Sequence, residues 1–377
     1  MASTMHRRHL LFLLGAGLTA GAVAPALAQG ERRPPPRRPA RPPAKRRPAP
    51  AAAAAAAANT GAAWGSHPAV REFAADVAER RGLPLAWLER HLGQARRIEA
   101  ARRLVMPGPP GSAKNWAAYR ARFIEPQRIA AGVQFWRTHE RWLAEAEARF
   151  GVPAAIVVGI VGVETFYGRI VGNFRVADVL ATLAFDFPPG RSDRSRFFRT
   201  ELEEFFVLAA REGVDPLAIK GSYAGAMGLP QFMPSSVNRW AVDFDADGHV
   251  DLHGSAPDAI GSVARYIAEH GWRRGMPTHY AVHAVPGDAE QRRVLLAPDI
   301  VPSFSALQMT ERGAVLEPAA LAHEGPLALV ELENGGGDAP STFVAGTQNF
   351  YVVTRYNWSS YYALAVIELG DAVKAAL

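Results

Sequence analysis

The chain has 377 residues, no cysteine and a formal charge of +6, with 42 Lys and Arg against 36 Asp and Glu. Without cysteine there are no disulfides, no thiolate metal sites and no lipid-modified cysteine, which argues against a lipid anchor. Residues 1–63 hold ten basic side chains and one acid, a net of +9, which leaves residues 64–377 at −3 and excludes a basic nucleic-acid-binding face there.

At the N-terminus Arg7 and Arg8 precede an apolar run from Leu10 to Val23 and the small residues Ala26-Leu27-Ala28, the order of a signal peptide over residues 1–28. A membrane-anchoring helix is the weaker alternative, because the run is short of the ~20 residues that span a bilayer. The paired arginines also permit twin-arginine export. An exported, soluble protein is expected. Residues 29–63, rich in Pro, Arg and Ala, have almost nothing to bury and read as a disordered linker. Its cations could contact anionic surfaces weakly, and a purely solvated linker is the alternative.

From Trp64 onward the pattern is globular and mainly helical. Apolar residues at helical spacing predict helices over Pro68–Arg81 and Pro84–Ala100, with Gly82 as a stop between them. Met106–Ser112 reads as a loop, and Pro126–Phe150 as one long amphipathic helix. Pro153–Tyr167 is apolar nearly all round, the mark of a helix buried on every side, with one carboxylate, Glu164, near its end. Further helices are predicted over Ala177–Phe185, Arg194–Arg211, Ser235–Val242, Asp258–His270 and Ser359–Ala376. Short strands are predicted at Tyr280–Val285, Arg293–Leu296, Leu327–Leu332 and Phe350–Val353. The fold class is therefore mainly α, of α+β type. A helical region over 64–277 precedes a small β-rich subdomain over 278–354, and a C-terminal helix over 355–377 returns to the helical body.

Three stretches carry chemistry. Glu164, in Gly162-Val163-Glu164-Thr165-Phe166-Tyr167-Gly168, closes an apolar helix, so desolvation should raise its pKa into the range a general acid needs. A structural, hydrogen-bonded glutamate is the alternative. The stretch Lys220–Ser236 is too rich in Gly and small residues for a helix interior and suits a backbone that approaches a ligand closely, with polar Ser222 and Gln231 among Met and Phe. Asp243-Phe244-Asp245-Ala246-Asp247-Gly248-His249-Val250-Asp251 reproduces the first half of an EF-hand calcium loop. Its twelfth position is Gly254 and not Glu; Asp258 is the substitute. Hard oxygen ligands favour calcium, and an acidic turn without metal is the alternative.

Together these stretches resemble the lytic murein transglycosylase B family, periplasmic peptidoglycan lyases with a lysozyme-like core. Phe123-Ile124, Phe135-Trp136, Asn349-Phe350-Tyr351 and Thr354-Arg355-Tyr356-Asn357 extend the resemblance over most of residues 65–377. The resemblance implies that Glu164 is the catalytic glutamate, that Ser222 and Gln231 line the saccharide site, and that Tyr119, Tyr266, Tyr356, Asn357 and Tyr362 surround the cleft. It also implies a structural calcium ion held by Asp243, Asp245, Asp247, the His249 carbonyl and Asp258. The expected partner is the glycan strand of peptidoglycan, met by a monomer in the periplasm. Two departures stand out: the family's best-known members carry a lipidated N-terminal cysteine, which is missing here, and His253–Pro257 is one residue longer than the family spacing.

Most glycosidases flank the scissile bond with two carboxylates, whereas Glu164 is the one convincing candidate here. Asp178 and Asp186 fall in the next helix and are read as structural. A lone acid suffices if the substrate's own 2-acetamido group is the nucleophile, so no cofactor is required and the product is a 1,6-anhydro sugar. A hydrolytic muramidase and a non-catalytic wall-binding scaffold are the alternatives.

Overall fold

The computed structural model describes residues 61–377 apart from 66, 107–113, 191 and 336–338. The expected signal peptide, nearly all of the linker and most of the 106–112 loop lie outside the described residues.

Helices α1 (Pro68–Arg81) and α2 (Leu85–Gln94) pack as a hairpin over Val70, Phe73, Val77, Leu88 and Leu92. The helix predicted to continue to Ala100 stops at Gln94. Ala95 and Ile98 are extended, because the backbone amides of Arg96 and Ile98 donate to Asp178 Oδ1 and Thr182 Oγ1, both at 2.9 Å. Side chains of a neighbouring helix thus replace the intrahelical acceptors. The chain resumes as α3 (Glu99–Leu104) and α4 (Trp116–Arg120). The single long helix predicted over Pro126–Phe150 is two, α5 (Pro126–Thr138) and α6 (Glu140–Phe150), broken at His139 with φ −116°.

Helix α7 (Ala154–Thr165) is the axis of the molecule: every residue in it except Glu164 is buried. Around it come β1 (Phe174–Arg175), α8 (Val176–Phe185), α9 (Ser195–Glu212), β2 (Lys220–Gly221), α10 (Pro234–Trp240) and α11 (Ala256–Glu269), with β1 and β2 paired antiparallel. Among the described residues no single helix is long and apolar enough to cross a membrane.

A four-stranded antiparallel sheet follows, built from β3 (His279–Ala284), β4 (Val315–Leu316), β5 (Ala328–Leu332) and β6 (Thr342–Gly346) in the order β4-β3-β6-β5. Helices α12 (Ala289–Leu296), α13 (Ala306–Glu311) and α14 (Pro318–Leu321) accompany it. Its small core of Tyr280, Leu295, Met309, Leu327, Leu329 and Ala345 is separate from the main one. Two strand predictions fail here. Arg293–Leu296 lies in α12, started by Asp288, whose side chain accepts the amides of Glu290 and Gln291. Phe350–Val353 lies in α15 (Gln348–Tyr356), capped by Thr347.

The C-terminal helix α16 (Ser360–Ala375) returns to lie along α7. Its Gly370 and the Gly159 of α7 allow backbone contact: an added Cβ would sit 2.1 Å from Ala155 O and 2.1 Å from Val366 O respectively. That approach brings Tyr362 of α16 beside Glu164.

Candidate active site

Helix α7 stops abruptly just beyond Glu164. Phe166 and Tyr167 both take left-handed backbone, φ 52° and 57°, a strained choice for bulky residues. Three contacts hold it. Phe166 N–H donates to Gly162 O. Thr165, fully buried, donates its hydroxyl to Leu229 O at 3.0 Å, pinning the turn to the small-residue loop. Arg128 of α5 donates Nη1 to Gly162 O at 2.5 Å and lays its guanidinium 4.3 Å over the Phe166 ring. A cation there complements the negative end of the helix.

Glu164 opens into a cleft that is lined as well by Tyr119, Ser222, Gln231, Tyr266, Tyr356, Asn357 and Tyr362. All seven sugar-site positions expected from the sequence therefore share one cavity with the glutamate. Tyr362 Oη donates to Glu164 Oε1 at 2.7 Å. Burial pushes the Glu164 carboxyl up to about 7, against the pull of the Tyr362 hydrogen bond. It is the only carboxylate among the described lining residues. Asp178 and Asp186 lie elsewhere, paired with Arg175 and with Arg97 and Arg102.

The tyrosines form walls. Tyr356 and Tyr362 stack with centroids 6.2 Å apart and planes 10° apart, and Tyr266 meets Tyr356 at 4.9 Å. Tyr356 Oη donates to Pro230 O at 2.5 Å and Tyr266 Oη to Arg355 O at 2.8 Å, so backbone carbonyls take both hydroxyls and the rings are fixed. Burial first, and the charge of Glu164 second, hold the phenols of Tyr119, Tyr356 and Tyr362 above their ordinary values, so all three stay neutral.

On the small-residue loop, Ser222 Oγ accepts the amides of Ala226 at 3.0 Å and Ala224 at 3.3 Å. Its own proton has no acceptor among the described residues, which leaves the Ser222 hydroxyl available as a donor in the cleft. Gln231, at φ 51°, donates Nε2 to Gly228 O at 2.9 Å and Val171 O at 3.2 Å, which leaves its oxygen as an acceptor. Asn357 Oδ1 is buried without a partner. The loop is pressed onto the segment after the acidic motif: Leu229 N–H donates to Leu252 O at 2.7 Å, and His253 Nε2 lies 2.9 Å from Lys220 O. At Gly228, φ 68°, a Cβ would lie 2.4 Å from Leu252 O, so only glycine fits.

In the acidic motif, oxygens of Asp243, Asp245 and Asp258 lie within 4.8 Å of one another. Asp258 is 1 % exposed and accepts the amides of Phe244 at 2.7 Å and Asp251 at 2.8 Å. Asp245 Oδ1 is buried with no partner. Three convergent carboxylates with an orphaned buried oxygen fit a hard cation. The Asp247 carboxylate stands apart from them and accepts the amide of His249.

The family described as Transglycosylase SLT domain matches residues 65–371. The membrane-bound lytic murein transglycosylase B of Escherichia coli is 38 % identical over 325 residues, covering 84 % of this chain and 85 % of that protein. The chain belongs to the lytic transglycosylase family. The lytic transglycosylase Slt35 of Escherichia coli, solved in complex with bulgecin A, superposes with a TM-score of 0.74 at 38 % identity, over 85 % of this chain and 97 % of that one. Slt35 has also been solved in complex with calcium. SltB3 of Pseudomonas aeruginosa, in complex with NAG-anhNAM-pentapeptide, superposes with a TM-score of 0.67 at 29 % identity, over 81 % of this chain and 78 % of that one. The lysozyme-like fold and the peptidoglycan-cleaving activity expected from the motifs are those of these relatives.

In this transglycosylase the cleft also holds residues not expected individually from the sequence, among them Arg122, Tyr223, Phe232, Met233 and Ser236. Tyr223, Phe232, Met233 and Ser236 lie within the Lys220–Ser236 stretch itself, where only Ser222 and Gln231 stood out by their polarity. Arg122 gave no signal, because a lone arginine after a short helix looks like solvated surface. Thr165 and Arg128 were missed for a different reason: they hold the turn behind Glu164 and do not themselves line the cleft.

Proposed function

We propose that the chain cleaves the β-1,4 bond between N-acetylmuramic acid and N-acetylglucosamine without water, with Glu164 as the sole acid and base. The observation that carries this reading is that Glu164, whose pKa is raised to about 7, is the single carboxylate among the described residues lining the cleft. With no second carboxylate among the described lining residues to serve as nucleophile or to activate water, the substrate itself supplies the attacking group in this mechanism.

Protonated Glu164 donates to the glycosidic oxygen while the muramic acetamido carbonyl attacks C1, giving an oxazolinium ion and a free N-acetylglucosamine 4-hydroxyl. Ionised Glu164 then takes the proton of the C6 hydroxyl, which attacks C1 and reopens the ring. The glutamate ends protonated, ready for the next turn, and the product carries a 1,6-anhydro end. Tyr362 favours the ionised glutamate needed in the second step. Ser222 donates to the acetamido or carboxyl group, Gln231 and Asn357 offer oxygens to sugar hydroxyls, and the tyrosine rings pack on sugar faces. The anhydro sugar in the SltB3 structure supports the same class of product here.

Asp243, Asp245 and Asp258 would hold a structural calcium, with Asp247 and the His249 carbonyl as further ligands; the complex of Slt35 with calcium supports this. The ion would stabilise the fold, and the Leu252–Leu229 contact lets it buttress the cleft loop. We place the protein in the periplasm, where the substrate lies and where a signal over residues 1–28 would deliver it, working as a monomer.

The test is digestion of purified sacculi by the wild type and by Glu164→Gln. The wild type should release anhydro-ended fragments and the variant none. Release of the same fragments by the variant would remove Glu164 from the mechanism, and wall binding without any release would favour a scaffold.

A further inference from the structure

Among the described residues that line the cleft, two carry charge: Glu164 and Arg122. Arg122 lies two residues beyond the end of α4, between the cleft-lining Tyr119 and Phe123 in sequence. Its main chain is fixed: its amide donates to Tyr119 O at 3.1 Å, that of Phe123 donates to Arg120 O at 3.0 Å, and the Phe123 ring is buried. Its guanidinium is exposed and has no ion pair or hydrogen bond among the described residues. The neighbouring arginines are spent: Arg120 pairs with Glu368, and Arg128 is committed to Gly162 O and the Phe166 ring. Arg122 and Glu164 bear on the Tyr119 phenol with opposite sign, so the free cation stands on the same wall as the catalytic acid.

We propose that Arg122 is a specificity-determining residue that recognises a carboxylate on the bound glycan strand. This rests on peptidoglycan being the substrate. The planar fork of a guanidinium matches a carboxylate in two parallel hydrogen bonds, and an unpaired one on a fixed backbone loses no intramolecular contact on binding. Peptidoglycan offers that group in two places. Stem peptides carry free carboxylates, and removal of the peptide bares the lactyl carboxylate of the muramic acid. A neutral strand offers neither.

The experiment compares Arg122→Ala, Arg122→Lys and Arg122→Glu with the wild type on three strands: peptide-bearing, peptide-stripped, and peptide-stripped with the lactyl carboxyl amidated. Affinity is measured on the Glu164→Gln background and KM on the active enzyme. Arg122→Ala should weaken binding and raise KM about fivefold on strands that carry the recognised carboxylate, the size of an exposed charge-assisted contact, with kcat little moved. Arg122→Glu should lose more, Arg122→Lys less, and the differences should shrink in high salt. A loss confined to peptide-bearing strands assigns the contact to the stem peptide; one confined to stripped strands assigns it to the lactyl group. Equal losses on charged and amidated strands, or no loss on any, would overturn the proposal. If the catalytic reading fails instead, the wild type makes no anhydro ends while the Glu164→Gln protein still discriminates by charge through Arg122.

Discussion

Tyr362 Oη donates to Glu164 Oε1 at 2.7 Å across 198 positions of sequence, joining the last helix of the chain to the end of its most buried one. The bond stabilises the ionised carboxylate, whereas burial favours the protonated one. The group is thus poised where it can give a proton and then take one back.

Removing the phenol tips that balance. In Tyr362→Phe the Glu164 pKa should rise further above 7, so the falling limb of the pH–rate profile moves to higher pH. The rate on its plateau should fall about tenfold or more, because the carboxylate is now a worse-placed base. A pH–rate profile on soluble glycan strands measures both effects. An unmoved limb would show that the bond does not tune the acid.

Glu164→Gln should change the pH dependence of stability as well as abolish activity. The folded pKa, about 7, lies above the usual carboxylate value of 4.5. The folded state therefore holds the extra proton between those values. The stability it confers is fully present below the unfolded pKa and is lost as pH rises through the folded one. Above that, the wild type bears the cost of a buried charge, about 2 kcal/mol after allowance for the open cleft. Melting curves should coincide for the two proteins at low pH and separate by a few degrees near pH 8, with the glutamine variant more stable. A constant gap at every pH would contradict the burial argument.

The packing of α7 on α16 rests on backbone contact. Gly370→Ala would force a Cβ to within 2.1 Å of Ala155 O, and neither partner is a flexible side chain. A loss of about 3 kcal/mol or more is expected in denaturant unfolding, with activity falling because Tyr362 moves with its helix. A neutral substitution would mean that the two helices can separate without consequence.

Chelation should lower the melting temperature of the protein by a few degrees, since an ion at one hundred times its dissociation constant adds about 2.7 kcal/mol. Asp245→Asn and Asp258→Asn should abolish the difference between calcium and chelator in calorimetry. An unchanged melting temperature on chelation would leave the acidic motif as a turn.

The elements legible in the sequence are those governed by local pattern. The all-apolar run ending at Glu164 marked the central helix, and the small-residue loop and the alternating aspartates marked their sites, because each places its signal in consecutive residues. What failed was decided by groups far away. Ala95–Ile98 left helix because Asp178 and Thr182 captured its amides. Residues 293–296 and 350–353 carried apolar residues too few to separate a strand from a helix, and the deciding signals were the caps at Asp288 and Thr347. The β6 strand, which lies inside the sheet, carried no strand prediction of its own. Arg128, Thr165 and Arg122 were invisible because their roles depend on where the chain folds back. The positions of Tyr356, Asn357 and Tyr362 in the cleft came from family resemblance, and no local pattern in the last two helices pointed to them.

In the proposed mechanism one carboxylate serves twice and water takes no part. Digestion of purified sacculi in water enriched in heavy oxygen, followed by mass analysis of the released muropeptides, decides between this mechanism and hydrolysis. Muramic ends one water lighter than a hydrolysis product, with no heavy oxygen incorporated, are the predicted result. Reducing ends carrying the label would contradict the claim and make the enzyme a hydrolase.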